Sequence, residues 1–293
     1  MCTTCGCSSH EDGVSITRVG DDAQHQHQHL SGWGRFWHFL WYGPHQHNAP
    51  AAVSTHTGEK KIIHLEQDIL AKNNQSAQRN RGYFEAKNIL ALNLVSSPGS
   101  GKTALLERTL HDLREKMNFA VIEGDQQTTQ DADRIVATGA PVVQINTGQG
   151  CHLDADMVYR ALHELHPAED AVVMIENVGN LVCPAMFDLG ETARVVIISV
   201  TEGDDKPIKY PDMFHSAQLC LINKIDLLPY VKFDLERAKD FARRVNPNLE
   251  FIAVSATAGA GMEAWYQWLL ARPRVKLNLA PVGQEKITYT VVQ

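Results

Sequence analysis

Apolar residues gather in short runs along the middle of the chain. They are Ile89–Val95, Phe119–Ile122, Val142–Ile145, Val172–Ile175, Val195–Val200, Leu219–Ile222 and Phe251–Val254. These runs lack the apolar–polar alternation of a half-exposed strand, so they read as strands covered on both faces. The stretches near 103–117, 129–138, 154–165, 211–217, 234–245 and 261–271 carry helical spacing instead. Strand and helix in alternation predict an α/β fold with a mostly parallel sheet flanked by helices. A further helical pattern runs from Lys60 to Lys87, with Ile62, Ile63, Leu65, Ile69 and Leu70 on one face and Gly82 as its expected end or interruption.

Before Lys60 the pattern fails. His25-Gln26-His27-Gln28-His29 and His45-Gln46-His47 are low-complexity tracts, with an aromatic-rich segment at 33–42 between them. Residues 1–59 are therefore expected to be a flexible, disordered His-rich segment. A nucleotide-binding domain with its leading helix follows at 60–275, and a tail at 276–293. The histidines suit a loose metal-collecting segment or a solvated linker. The aromatic segment suits a partner, a membrane surface or the main domain equally well.

The first strand leads into Ser96-Ser97-Pro98-Gly99-Ser100-Gly101-Lys102-Thr103. This is a phosphate-binding loop, which makes the expected fold that of a P-loop NTPase. Gly99 and Gly101 let the backbone curl so that successive N–H groups, with those of Ser97 and Ser100, face phosphate oxygens. Lys102 is placed to reach the β- and γ-phosphates, and the Thr103 hydroxyl to bind Mg²⁺. Ser96 stands where the usual pattern begins with glycine.

Asn223-Lys224-Ile225-Asp226 follows the strand Leu219–Ile222, and Ser255-Ala256 follows the last strand. The Asp226 carboxylate can accept from N1–H and the exocyclic amine of guanine. Adenine has no such pair of donors, and charge-assisted bonds contribute about 1.5–3 kcal/mol each. GTP and GDP are thus preferred over adenine nucleotides, with Ser255 and Ala256 backing the base. Asp125 and Glu176 each end a strand and are the candidates, with Lys102, for handling Mg²⁺ and the attacking water. No arginine finger is evident, so slow intrinsic turnover is expected.

Six cysteines are present, three of them in Cys2-Thr3-Thr4-Cys5-Gly6-Cys7. Three thiolates so close can converge on Ni²⁺ or Zn²⁺, with a redox-active or incidental cluster as the bland alternative. Cys151-His152 and Cys183 form a second candidate half-site that a two-fold dimer could complete. Cys220 lies inside a strand and reads as core. The net charge of −7 argues against general nucleic-acid binding. No apolar run reaches membrane-spanning length, and the N-terminus lacks secretory character, so a reducing cytoplasm is expected.

The chain resembles the HypB family of hydrogenase nickel-incorporation GTPases, in a GTPase class that also holds UreG. The residues that carry the resemblance are Cys2 to Cys7, Ser96 to Thr103, Glu123-Gly124-Asp125, Gly150-Cys151-His152, Glu176 to Pro184, Thr201 to Pro207 and Asn223 to Asp226. It covers about residues 60–272 and the extreme N-terminus, and Ser96 conforms to it. The resemblance implies a GTP-hydrolysing nickel metallochaperone that delivers nickel to the [NiFe]-hydrogenase large subunit. It implies a tight nickel site at Cys2, Cys5 and Cys7 and a weaker, nucleotide-coupled one at Cys151, His152 and Cys183 in a GTP-promoted homodimer. A HypA-type nickel chaperone and the hydrogenase large-subunit precursor are the implied partners. Three rivals stand: a signalling GTPase in which the cysteines are incidental, a nickel or zinc store with a regulatory GTPase, and a GTPase serving another metalloenzyme such as urease or a cobalamin enzyme. Against the last, UreG-like chains carry Cys-Pro-His where this one has Cys183-Pro184-Ala185.

Overall fold

A computed structural model describes residues 15–18, 56–125, 130–148 and 150–272. The chain divides into two compact units, Met1–Val19 with Leu70–Gln293, and Gly20–Ile69. Of the latter, the described part is the opening of a helix. Cys2, Cys5, Cys7, both histidine tracts, the aromatic segment and the tail 276–293 lie outside the described residues.

Among the described residues eight strands form one sheet: β1 (Ser15–Arg18), β2 (Leu90–Ser96), β3 (Phe119–Asp125), β4 (Val142–Asn146), β5 (Val172–Glu176), β6 (Ala193–Ser199), β7 (Leu219–Asn223) and β8 (Glu250–Ala253). Their spatial order is β1-β4-β3-β5-β2-β6-β7-β8. β1 runs antiparallel to β4, and every other pairing is parallel. The chain winds outward on one side of β2, returns through β5, and then builds the other half from β6. The sheet's switch point is therefore beside β2, and ligands of such sheets sit at the carboxyl strand ends there.

Helices cover both faces: α1 (His56–Ala86), α2 (Lys102–Leu113), α3 (Gln130–Val136), α4 (Ala155–Leu165), α5 (Cys183–Met186), α6 (Lys206–Lys209), α7 (Pro211–Ser216), α8 (Leu235–Val245) and α9 (Met262–Leu270). Successive β2 residues feed opposite faces. Leu90, Leu92 and Leu94 pack with Leu106 and Leu110 of α2 and Trp265 of α9. Ile89, just before β2, and Ala91 pack with Phe84 and, from α4, Val158 and Leu162. Apart from Asn93, both faces of β2 are therefore lined by apolar side chains, which is why its sequence shows no alternation. Cys220 is buried in β7, and burial pushes its thiol pKa up, as a core thiol requires.

Three local expectations change. First, α1 runs unbroken through Gly82, which is exposed with open space around it. A lone glycine costs a helix only about 1 kcal/mol against alanine, and long-range contacts outweigh that. Second, the docking face of α1 within the larger unit is partly polar. Asn80 Nδ2 donates to the carbonyls of Ala155 and Leu189, and Asn73 bonds Asp188 O and Ala155 N. Gly190 has φ +84°, and a Cβ there would lie 2.5 Å from Ala77 O, so the turn it occupies can approach α1 only as glycine. Third, β1 lies inside the stretch expected to be a tail. Its residues, Ser-Ile-Thr-Arg, pair with β4 through backbone hydrogen bonds, and Ile16 packs against the core.

Candidate nucleotide and metal site

β2 ends at Ser96, and α2 begins at Lys102 with Gly101 as its N-cap in the left-handed region. No side chain caps this helix, so its first N–H groups remain available to an anion. Gly99 has φ +73° and Gly101 φ +88°. A Cβ at Gly101 would sit 2.6 Å from Asn223 Nδ2, which excludes any other residue without displacing Asn223.

The loop lines a cavity of about 320 Å³ together with Glu123, Asp125, Arg134, Glu176 and Gly179. Lys102 Nζ and Thr103 Oγ1 both donate to Glu176 Oε1, each at 2.7 Å. The pair is well buried, with the Lys102 side chain 11% and that of Glu176 2% exposed. The other oxygen, Glu176 Oε2, is buried with no hydrogen-bond partner. Lys102 and Thr103, which open α2, thus share one chamber with Asp125 and Glu176, which end β3 and β5.

Asn223 ties the loops at this edge together. Its Nδ2 donates to Ser100 O at 2.9 Å, and its Oδ1 accepts from Lys224 N at 2.8 Å and Ala256 N at 3.2 Å. Lys224 has φ +62° and its Nζ donates to Gly99 O at 2.7 Å. Asn223 and Lys224 therefore brace the phosphate loop. Asp226, in the 3-10 turn Ile225–Tyr230, is exposed, and its carboxylate makes no hydrogen bond or ion pair among the described residues. Ser255 is buried, and its Oγ accepts from Ala258 N, which turns the loop carrying Ala256. Neither Asp226 nor Ser255 lines the phosphate chamber.

The second group lies on adjoining loops. The donor atoms of Cys151, His152 and Cys183 all fall within 4.8 Å of one another. Cys151 Sγ is 3.7 Å from His152 Nδ1. The His152 ring lies against Phe187, with centroids 4.0 Å apart. Burial pulls the His152 pKa down, against the opposing pull of Asp154; the neutral imidazole is the form that ligates metal. Thiolate and imidazole donors of this kind suit nickel, zinc or copper.

Short connections join the two groups. Thr147 N donates to Asp125 O at 2.9 Å, and Thr147 Oγ1 donates to Gly150 O at 2.8 Å, next to Cys151. A Cβ at Gly179 would lie 3.3 Å from Pro98 Cα, so the segment leading to Cys183 runs against the phosphate loop. The site also contains residues not singled out from the sequence as site residues. Lys206 Nζ donates to Ser97 Oγ at 3.2 Å and lies 3.1 Å from Glu202 Oε2. Glu123 is 2% exposed in the chamber wall. The charged residues in Thr201-Glu202-Gly203-Asp204-Asp205-Lys206-Pro207 and Glu123-Gly124-Asp125 were the available signal.

Residues 90–253 match the family model described as CobW/HypB/UreG, nucleotide-binding domain. The chain is similar to the hydrogenase maturation factor HypB of Azotobacter vinelandii, 50% identical over 284 residues that cover 92% of this chain and 91% of that protein. It is 54% identical to HypB of Escherichia coli K12 over 226 residues, 76% of this chain and 78% of that one. The crystal structure of Helicobacter pylori HypB in complex with nickel superimposes with a TM-score of 0.64 at 38% identity, covering 68% of this chain and 94% of that one. The chain belongs to the CobW/HypB/UreG family of P-loop GTPases and, within it, to the HypB hydrogenase maturation factors. No described helix is long and apolar enough to cross a membrane.

Proposed function

We propose that this chain is a GTP-hydrolysing nickel metallochaperone that delivers nickel to the [NiFe]-hydrogenase large-subunit precursor, with its nucleotide state governing dimerisation and metal transfer. The observation that carries the reading is the single segment Glu176–Cys183. It begins in the phosphate chamber and ends at a soft metal donor.

The residues supply a consistent mechanism. GTP seated on the loop takes Lys102 onto its β- and γ-phosphates, and the Lys102–Glu176 pair must then part. Thr103 Oγ1 and the two Glu176 oxygens, one of them buried without a hydrogen-bond partner, fit a hard divalent cation with Asp125 nearby. Mg²⁺ bound there supplies charge neutralisation for phosphoryl transfer. Glu176 therefore holds different partners with and without bound nucleotide and Mg²⁺. That change enters the segment carrying Cys183, so nickel, the cargo, meets different donors in the two states. Hydrolysis resets the switch. Val182 and Met186 are large apolar side chains more than half exposed on either side of Cys183. They suit burial against a second copy whose donors complete the shell. The Cys2, Cys5 and Cys7 site serves as the tight reservoir, with a HypA-type chaperone as the intermediate partner. Zinc fits the same donors.

The reading is tested by loading the full chain with nickel and presenting apo large-subunit precursor with its companion chaperone. Transfer that requires GTP and stops with GDP or a non-hydrolysable analogue is the expected result. Transfer indifferent to nucleotide, or lost only when residues 8–58 are deleted, points to a metal store instead.

A further inference from the structure

A chain of buried polar side chains runs through the sheet beside the site. Asn177 follows Glu176 directly and is 1% exposed. Its Oδ1 accepts from Leu153 N at 3.1 Å, one residue after His152. Its Nδ2 donates to Asn93 Oδ1 at 3.2 Å, in the middle of β2. Asn93 Nδ2 in turn donates to Glu191 Oε1 at 3.1 Å. Glu191 pairs with Arg194 at 2.9 Å, their side chains 7% and 6% exposed. The same Arg194 guanidinium also holds the metal segment: Nη1 donates to Ala185 O at 3.0 Å and Nη2 to Phe187 O at 2.8 Å. Phe187 is the ring that lies against His152.

Both halves of the cysteine–histidine group are therefore held by one path that starts next to Glu176. The Cys151–His152 loop hangs from Asn177 directly. The Cys183–Phe187 segment hangs from Asn177 through Asn93, Glu191 and Arg194. Asn93 is a polar residue among leucines in a central strand, where an apolar side chain would pack without needing partners. Arg194 and Glu191 are an ion pair out of water, an arrangement that is a weak source of stability for its desolvation cost. Neither is explained by packing the core.

We propose that Asn93, Glu191 and Arg194 are positioning residues that couple the nucleotide state at Glu176 to the geometry of the Cys151–His152–Cys183 donors. The proposal rests on the nucleotide-switched reading above. A shift of Asn177 with its neighbour Glu176 cannot leave the two donor segments in register, because the hydrogen-bonded path is buried and continuous. Asn93 is the informative position, since it touches neither phosphate nor metal donors.

The test replaces Asn93 with leucine, similar in size but without donor or acceptor, and separately with serine, which leaves room if leucine does not fold. Nickel affinity is titrated for wild type and each variant bound to GDP and to a non-hydrolysable GTP analogue, in chains with Cys2, Cys5 and Cys7 replaced by serine. Nucleotide affinity and thermal midpoint are recorded alongside. Wild type is expected to show a nickel affinity ratio of at least tenfold between the two nucleotides. Either folded variant is expected to bring the ratio within twofold of unity while nucleotide affinity stays within threefold. A folded variant that keeps the wild-type ratio overturns the relay and leaves the switch intact. A flat ratio in wild type overturns the switch and the relay together.

Discussion

Replacing Asp226 with asparagine separates base recognition from everything else at this edge of the sheet. The carboxylate is exposed and makes no hydrogen bond or ion pair among the described residues. The change should therefore alter folding stability by no more than about 0.5 kcal/mol. Its effect on guanine is large by comparison. An ionised carboxylate accepts from N1–H and from the exocyclic amine, at about 1.5–3 kcal/mol each. Exposure puts Asp226 at the lower end, about 3 kcal/mol for the two, or roughly 100-fold in affinity. Asparagine can accept only one of those bonds and sets its own amine against a donor. Xanthine carries a carbonyl where guanine carries that amine, so the variant should gain affinity for xanthosine diphosphate. Competition against a fluorescent guanine nucleotide, with GDP, XDP and ADP as competitors, measures this directly. A folded D226N that binds GDP within threefold of wild type would refute the assignment of Asp226 to the base.

Gly101→Ala should lower stability by about 2 kcal/mol and nucleotide affinity at least tenfold, because its Cβ collides with Asn223 Nδ2 in a left-handed backbone; urea unfolding and nucleotide titration report the two effects. Gly82→Ala should do the opposite, stabilising by about 0.5–1 kcal/mol, since the position is helical, exposed and open; an unchanged or lowered midpoint would contradict this. Partial burial pushes the Asp112 carboxyl up, but hydrogen bonds from Arg108, His111 and Tyr266 outweigh it and hold it down at about 2. A folded-state value below the unfolded one, near 3.9, gives stability that is present above about pH 4 and lost as pH falls toward 2. Asp112→Asn should therefore cost about 1 kcal/mol at pH 6, less than the full shift because the side chain is partly solvated; the gap should close toward pH 2 in urea titrations at stepped pH. Cys183→Ser should weaken nickel binding at the interior site at least tenfold and leave GTP affinity within threefold, as equilibrium dialysis with nickel would show.

The strands of the nucleotide-binding half were legible because both their faces are buried. Residues Leu90 to Val95 and Val172 to Ile175 are almost wholly apolar, and only a doubly covered strand needs that. The phosphate loop was legible because its spacing is dictated by a ligand of fixed shape. The role of Asn223 was not, since its partners Ser100 and Ala256 lie 123 and 33 residues away. The same holds for Asn93, Glu191 and Arg194, each an unremarkable polar letter until the fold brings them together. β1 was hidden because a short edge strand bonds through its backbone, and three of its four side chains are polar. The helix pattern in α1 pointed to Ile62 through Leu70, whereas the described docking face of the larger unit runs through Asn73, Ala77, Asn80 and Phe84. Asparagines that satisfy carbonyls on another element carry no apolar period.

The most direct measurement of the central claim is the rate of nickel release from the interior site in a single turnover. The chain with Cys2, Cys5 and Cys7 replaced by serine is loaded with nickel and GTP, and hydrolysis is started with Mg²⁺ in the presence of a chromophoric chelator. Nickel release that follows phosphate release with the same rate constant, and is absent with a non-hydrolysable analogue, is what a hydrolysis-reset switch predicts. Release at one rate with GTP, GDP and the analogue alike would contradict it.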